Sequence, residues 1–212
     1  MPQLFRRMTN RTGLILLNKF YAYTDKALEY LRRYYVKEFN RCKMQIRSDR
    51  LNVIQPTMNL YDRLRRETIR VLAKIAATKY HELHGGEDTI TEMWVLDFLG
   101  MSNPLTGYIF LNDIERKRQY FTEDVLSGAD LDKAAKKAMR YIFGSTRQYA
   151  DLITDAAAVQ AFMDTQTRFV EWVTFHDSHV CPVCDERDGV IYPINNIPKK
   201  PHYGCRCYLR RA

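Results

Sequence analysis

Five residues with metal-binding side chains lie close together near the C-terminal end of the sequence. A C-x2-C pair is followed, after seventeen residues, by an H-x2-C-x-C group, and the five are Cys181, Cys184, His202, Cys205 and Cys207. Zinc prefers four thiolate or imidazole ligands in a tetrahedron, and a C-x2-C knuckle offers two thiolates to one ion. The spacing therefore predicts a zinc site, with a hairpin that starts near Asp188-Gly189 and brings the second group beside the first.

Five groups compete for four coordination positions at this site. The first choice is Cys181, Cys184, His202 and Cys205, because the second half then repeats the x2 spacing of the first. Cys207 is an alternative to Cys205 or to His202. Buried thiols or disulfides would also explain the cluster, but the sequence shows no secretory signal, and clustered thiols in a reducing compartment more often bind metal. The fifth cysteine, Cys42, stands alone and is predicted to be a small buried apolar residue.

The same region contains groups that could support catalysis. His176, Asp177 and His179 precede the first cysteine pair, and Asn195 and Asn196 follow it. Together with His202 they offer the order of a metal-dependent nuclease of the His-Asn-His type, which needs a histidine base and an asparagine that orients it. The C-x2-C pair interrupts that order, so the sequence favours a protein that is not an enzyme.

Helical periodicity dominates the sequence before this cluster. Apolar residues recur at helical spacing over residues 14–42 and again from Pro56 to Gly85-Gly86, which predicts an antiparallel pair of long helices. A third helix is predicted from a capping box at Thr89 to Gly100. Two further helices are predicted over residues 130–141 and 146–163. No apolar run is long enough for a transmembrane helix, so no membrane contact is expected.

From Thr167 the apolar pattern changes to the alternation of a strand, and residues 189–194 and 205–210 resemble two further short strands. The predicted fold is mainly α, with a small C-terminal α+β module that contains the zinc knuckle. We place a boundary near residue 130, which gives a basic helical arm over residues 1–130 and the α+β module over residues 131–212.

Positive charge is concentrated in the first third of the chain. Residues 1–75 contain 17 Lys and Arg against 6 Asp and Glu, a surplus of 11 within a total net charge of +8. Such a surplus favours contact with nucleic acid or with an acidic protein surface. The cations predicted to be available on the surface of the helical pair are Arg32, Arg33, Lys37, Arg63, Arg65, Arg66 and Arg70.

The C-terminal segment resembles the signature of the Mu F-like minor head proteins of tailed phages. That signature has a Trp, an acidic turn, C-x2-C, a glycine-containing hairpin and then H-P-x-C-R-C. Its positions are filled here by Trp172, Asp177, Cys181, Cys184, Gly189, His202, Cys205, Arg206 and Cys207. Tyr203 stands where the family usually has proline. The segment TGYIFLNDIERKRQYF is similar to the family's middle region, so the resemblance covers about half of the chain, from about residue 105 onward.

The resemblance implies a structural protein of the virion rather than an enzyme. Members of the family are present in few copies in the phage head, at the portal vertex, and are linked to head assembly and to DNA packaging or ejection. The implied partners are the portal protein, other head proteins and packaged DNA, with the host cytoplasm as the place of assembly. A nuclease and a stand-alone DNA-binding module are the alternatives that the residues leave open.

Overall fold

The computed structural model describes residues 2–86, 90–103, 106–175, 180–202, 204–205 and 207–212, with side chains from residue 20 onward. Within these ranges the chain forms six helices and three short strands. The helices are α1 (Pro2–Ser48), α2 (Ile54–His84), α3 (Glu92–Gly100), α4 (Phe110–Leu126), α5 (Leu131–Asp164) and α6 (Pro182–Arg187). The strands are β1 (Phe169–Val173), β2 (Ile191–Pro193) and β3 (Tyr208–Arg211). The prediction of a mainly helical fold with a small C-terminal sheet is confirmed.

The long helices share one hydrophobic core. The apolar faces of α1 and α2 pack against each other, as the sequence predicted, and α5 lies against both of them. Leu31, Leu64, Ile75 and Ile142 are among the residues with no exposed surface at all. Helices on both sides of residue 130 therefore belong to the same core, while the division of the chain into two domains at that residue stays a prediction.

A buried tyrosine joins the three longest helices. Tyr35 of α1 is fully buried, and its hydroxyl oxygen lies 2.5 Å from Thr68 Oγ1 on α2 and 3.0 Å from Thr146 Oγ1 on α5. Burial raises the pKa of the Tyr35 phenol to about 12, so the hydroxyl keeps its proton. Each threonine hydroxyl also donates to a backbone carbonyl one turn earlier in its own helix. The two threonine hydroxyls therefore have hydrogen-bond acceptors within their own helices, whereas the Tyr35 hydroxyl bonds to side chains of the other two helices.

Helix α5 is one element, whereas the sequence predicted two. The predicted break fell on residues 142–145, where Gly144 interrupts the alanine-rich pattern. Ile142 and Thr146 on either side of it are buried in the core, so packing outweighs the cost of about 1 kcal/mol that glycine adds within a helix. The predicted start of the third helix is also wrong, because the N-cap of α3 is Thr91, whose side chain accepts from the Trp94 backbone N–H. Thr89 lies outside the described residues.

The three strands form an antiparallel sheet in the order β2-β1-β3. β2 and β3 do not pair with each other but lie on opposite sides of β1, so the predicted return of the chain crosses the central strand and still brings the second ligand group beside the first. The chain still turns at Asp188-Gly189, where Gly189 has a φ of 75° and donates its N–H to the Trp172 carbonyl. We call β1, α6, β2 and β3, with the segments between them, the sheet module. Among the described residues, no helix is both long and apolar enough to cross a membrane.

A polar network connects α4 to α5. The Asp113 carboxylate accepts from Lys117 Nζ at 2.5 Å, from Ser145 Oγ at 2.9 Å and from Arg116 at 2.7 Å. Burial would raise the pKa of the Asp113 carboxyl, but the hydrogen bond and charge of Lys117, with Ser145 and Arg116, hold that pKa below its usual value. The ionised carboxylate thus stabilises the folded state.

The Asp113→Asn variant should lower the free energy of unfolding at pH 7 by about 1–3 kcal/mol, because the cations Lys117 and Arg116 lose their anionic partner and the amide nitrogen cannot accept a hydrogen bond. A carboxyl whose pKa is lower when folded stabilises the protein above its unfolded pKa of about 4, and this is lost as pH falls through the folded value. Urea unfolding at pH 7 and pH 3 should therefore show a difference between variant and wild type that shrinks in acid. The matched control is Glu123→Gln on the exposed face of α4. A difference that grew in acid would contradict this account of Asp113.

Candidate metal centre

The first half of the cysteine cluster is built by the start of α6. Cys181 precedes the helix with extended backbone, and Pro182 occupies the first helical position, which suits a residue that lacks an N–H. Because the chain turns here, the Cys184 N–H donates to the Cys181 carbonyl at 2.9 Å. The C-x2-C segment therefore forms a tight knuckle with both thiols on one side, as its spacing predicted.

The second half of the cluster comes from the segment that leads into β3. Gly204 has a φ of 71°, a left-handed conformation that lets the chain turn sharply between His202 and Cys205. Cys207 immediately precedes β3, so its position is fixed by the pairing of that strand with β1. A side-chain hydrogen bond also holds this segment, because Lys200 Nζ donates to the Cys205 carbonyl at 3.1 Å.

These segments bring all five predicted ligands together in two overlapping triads. The ligand atoms of Cys181, Cys184 and His202 lie within 4.8 Å of one another, and so do those of Cys184, Cys205 and Cys207. Cys184 belongs to both triads. The cluster could hold a metal ion, and the structure does not reduce the five candidates to the four of the first choice.

The sulfur geometry fits a metal site better than a disulfide. The Cys184 and Cys205 sulfurs are 3.4 Å apart, and all five cysteines of the chain are free thiols. A disulfide would need about 2.05 Å, whereas two thiolates on one zinc ion at about 2.3 Å are separated by about 3.8 Å. Thiols and an imidazole are ligands that bind zinc well, whereas cations such as magnesium and calcium prefer oxygen ligands.

Burial and local dipoles affect the thiols of the cluster differently. The pKa of the Cys181 thiol is lowered, first by the Cys184 backbone N–H and then by the Cys184 thiol and His202. Burial raises the pKa of the Cys184 and Cys207 thiols. Cys184 is only 1% exposed, so a metal ion that replaced its proton would supply the positive charge that stabilises a buried thiolate.

The cluster is also the core of the sheet module. Trp172 of β1 is 2% exposed and packs with Cys184, Cys205 and Cys207, while the Arg187 guanidinium lies 5.2 Å from the centre of its ring. The described part of this core contains few other fully buried side chains. A module this small gains little stability from apolar burial alone, which is why such modules often depend on a bound metal.

An ion pair that the sequence did not predict attaches the cluster to the helices. Lys200 Nζ lies 2.8 Å from Asp155 Oδ1 on α5 while it also binds the Cys205 carbonyl. The run Lys199-Lys200 was visible in the sequence, but its partner on α5 is 45 positions earlier and could not be identified by spacing. This lysine fixes the position of the second ligand segment against the helical core.

The structure describes only some of the residues that could support the alternative nuclease. His176, Asp177 and His179 lie outside the described residues, as do Tyr203 and Arg206 of the phage-like signature. Asn195 and Asn196 are exposed after β2, and His202 belongs to the cysteine cluster.

Six of the seven predicted surface cations are exposed. Arg63 is the exception: its side chain is 20% exposed and forms a 2.5 Å ion pair with Glu38, so it joins α2 to α1. Some of the exposed cations also have acidic neighbours, since Arg33 binds Glu29 at 3.0 Å and Arg70 binds Glu67 at 2.5 Å. The exposed six are Arg32, Arg33, Lys37, Arg65, Arg66 and Arg70.

No protein-family model, curated protein or solved structure matches this chain.

Proposed function

We propose that this chain is a minor structural protein of the head of a tailed phage, located at the portal vertex, and that zinc is the structural metal of its cysteine cluster. The observation that carries the proposal is the packing of the signature residues. Trp172, Cys184, Cys205 and Cys207 come from three separate segments of the chain, yet they form one buried core, with Cys181 and His202 beside it. This fits a signature whose residues share one structural role.

A site in which protein groups fill all four coordination positions would favour a structural rather than a catalytic role for the ion. Catalytic zinc keeps one coordination position open for water or substrate, whereas structural zinc takes four protein ligands. The cluster offers five protein groups, more than enough to fill the tetrahedron. We therefore propose that the protein is not an enzyme and that zinc holds the sheet module together.

The proposed contact to the rest of the head is the surface formed by the six exposed cations Arg32, Arg33, Lys37, Arg65, Arg66 and Arg70. Their partner would be an acidic surface of the portal protein or packaged DNA, the two possibilities that the sequence left open. Either contact would weaken as salt rises, because exposed charges are screened over about 8 Å at physiological ionic strength. A protein interface with an apolar centre would lose much less affinity than a row of phosphate contacts.

Purified phage particles should contain this chain in few copies, and electron microscopy should place its density at the portal vertex. Reversing the charge of Arg33, Arg65 and Arg66 should reduce its incorporation into heads, because an attractive surface becomes repulsive. The control reverses three other exposed cations, Arg41, Lys74 and Arg168, and has the same net charge. Particles that lack the chain would refute the proposed function, and equal incorporation of the two variants would refute the proposed contact surface.

A further inference from the structure

A groove between α1 and α5 is lined almost entirely by cations and apolar side chains. Its volume is about 590 Å³, and no acidic residue is among the described residues that line it. The lining cations are Arg32 of α1 with Lys133, Lys136, Lys137, Arg140 and Arg147 of α5. The floor contains Tyr35, Met139 and Phe143. Except for Arg32, none of these cations belongs to the surface that the sequence singled out.

The cations of α5 occupy one face of the helix by their spacing. Counted from Lys133 they stand at positions i, i+3, i+4, i+7 and i+14, which is the repeat of a single helical face. At 1.5 Å per residue the row extends over about 21 Å. Gly144 lies within this row, and a side chain there would meet nothing within 4 Å, so the groove is open at its middle.

Most of this charge is not neutralised by the protein itself. Arg32 has Glu29 at 3.6 Å and Lys137 has Asp124 at 2.9 Å. Among the described ion pairs, none involves Lys133, Lys136 or Arg140, and all three side chains are exposed. Lys133, Lys136 and Arg140 thus present positive charge that no described ion pair neutralises, and a polyanion lying along the row would neutralise it.

We propose that this groove binds the phosphate backbone of double-stranded DNA. Double-stranded DNA carries one phosphate charge per about 1.7 Å of its axis, so a 21 Å row of cations lies alongside about twelve of them, and the phosphates that turn toward the protein can pair with four or five cations. An acidic protein partner fits less well, because protein interfaces are depleted of lysine and three of the six cations are lysines. A single strand also fits less well, since the groove aromatics Tyr35 and Phe143 are buried or half-buried and offer no stacking platform. The inference depends on the groove alone and not on a place for the protein in a virion.

The test measures binding of the folded 212-residue chain to a 30-base-pair DNA duplex by fluorescence anisotropy. With four or five engaged cations, the affinity should fall roughly a hundredfold to several hundredfold between 50 and 200 mM salt. The Lys133→Glu, Lys136→Glu, Arg140→Glu variant should bind roughly a hundredfold more weakly at 100 mM salt. The control reverses Arg41, Lys74 and Arg168, carries the same net charge and should stay within about threefold of wild type.

A second variant separates the loss of phosphate contacts from the repulsion that added negative charge would cause. Replacing Lys133, Lys136 and Arg140 with glutamine removes positive charge without adding repulsion, so the slope of log affinity against log salt should fall by about one for each phosphate that no longer pairs with a cation. Circular dichroism should show unchanged helix content in all variants. The proposal is overturned if the control loses as much affinity as the groove variant. It is also overturned if single-stranded DNA binds as tightly as the duplex, or if polyglutamate of equal charge competes as well as DNA.

Discussion

Replacing Cys184 with serine should abolish metal binding and unfold the sheet module while helices α1–α5 stay formed. Cys184 belongs to both triads of the cluster and is almost fully buried, so no other single replacement removes a ligand from both. Structural zinc contributes on the order of 10 kcal/mol to the folding of small sites. The module has too small an apolar core to replace that contribution.

Elemental analysis of the metal-loaded protein should give about one zinc per chain for the wild type and none for Cys184→Ser. Limited trypsin digestion should then cut the variant at Arg187, Lys199 and Arg210 while the helical core survives. Cys42→Ala is the matched control, because it removes a buried thiol of α1 and should leave the zinc content unchanged. Single replacements of Cys181, His202, Cys205 and Cys207 identify the remaining ligands. The zinc assignment is wrong if the wild type binds no metal or Cys184→Ser keeps its full content.

The Tyr35→Ala variant should lower the free energy of unfolding of the helical core by about 3–5 kcal/mol. It leaves a cavity where α1, α2 and α5 meet, and large aromatic deletions in a packed core have costs of this size. Tyr35→Phe is the informative comparison. Thr68 and Thr146 keep their own backbone acceptors, so the loss of the phenolic hydroxyl leaves neither unsatisfied and should cost only about 1 kcal/mol.

Urea unfolding followed by circular dichroism at 222 nm measures both variants, with the denaturant slope confirming that the transition is unchanged. If Tyr35→Phe were as damaging as Tyr35→Ala, the stabilisation would come from the hydroxyl contact and not from packing. If neither variant shifted the midpoint, the meeting point of the three helices would not be part of the cooperative core.

The helices and the ligand cluster were predictable because they depend on local spacing. Apolar repeats of three and four gave α1 and α2, and Gly85 ended α2 as the sequence indicated. The cluster was predictable because C-x2-C and H-x2-C-x-C fix which thiols can meet. The break expected near Gly144 failed because a single glycine costs less than the burial of its neighbours provides, and burial cannot be read from one sequence.

Contacts between residues that are far apart in the chain could not be predicted from the spacing of residue types. Three short strands permit several orders, and only the register of β1 with both later strands shows that it is central. The Lys200–Asp155 ion pair and the groove between α1 and α5 likewise join distant segments. The net charge of the second part of the chain did not reveal the cations of α5. Residues 76–212 carry 16 Lys and Arg against 19 Asp and Glu, so this part has no basic surplus even though its cations share one helix face.

The strand order has a consequence for self-association. The central strand reads FVEWV, a short apolar segment of high β propensity, and in the folded sheet both of its edges are covered. The outer edges are poor templates for another chain: β2 has three residues and ends in Pro193, and β3 carries Arg210 and Arg211. A sheet module that opened would expose β1 on both sides at once. Chains in that state would then form intermolecular β-structure, so solubility, and not only stability, depends on keeping the module closed.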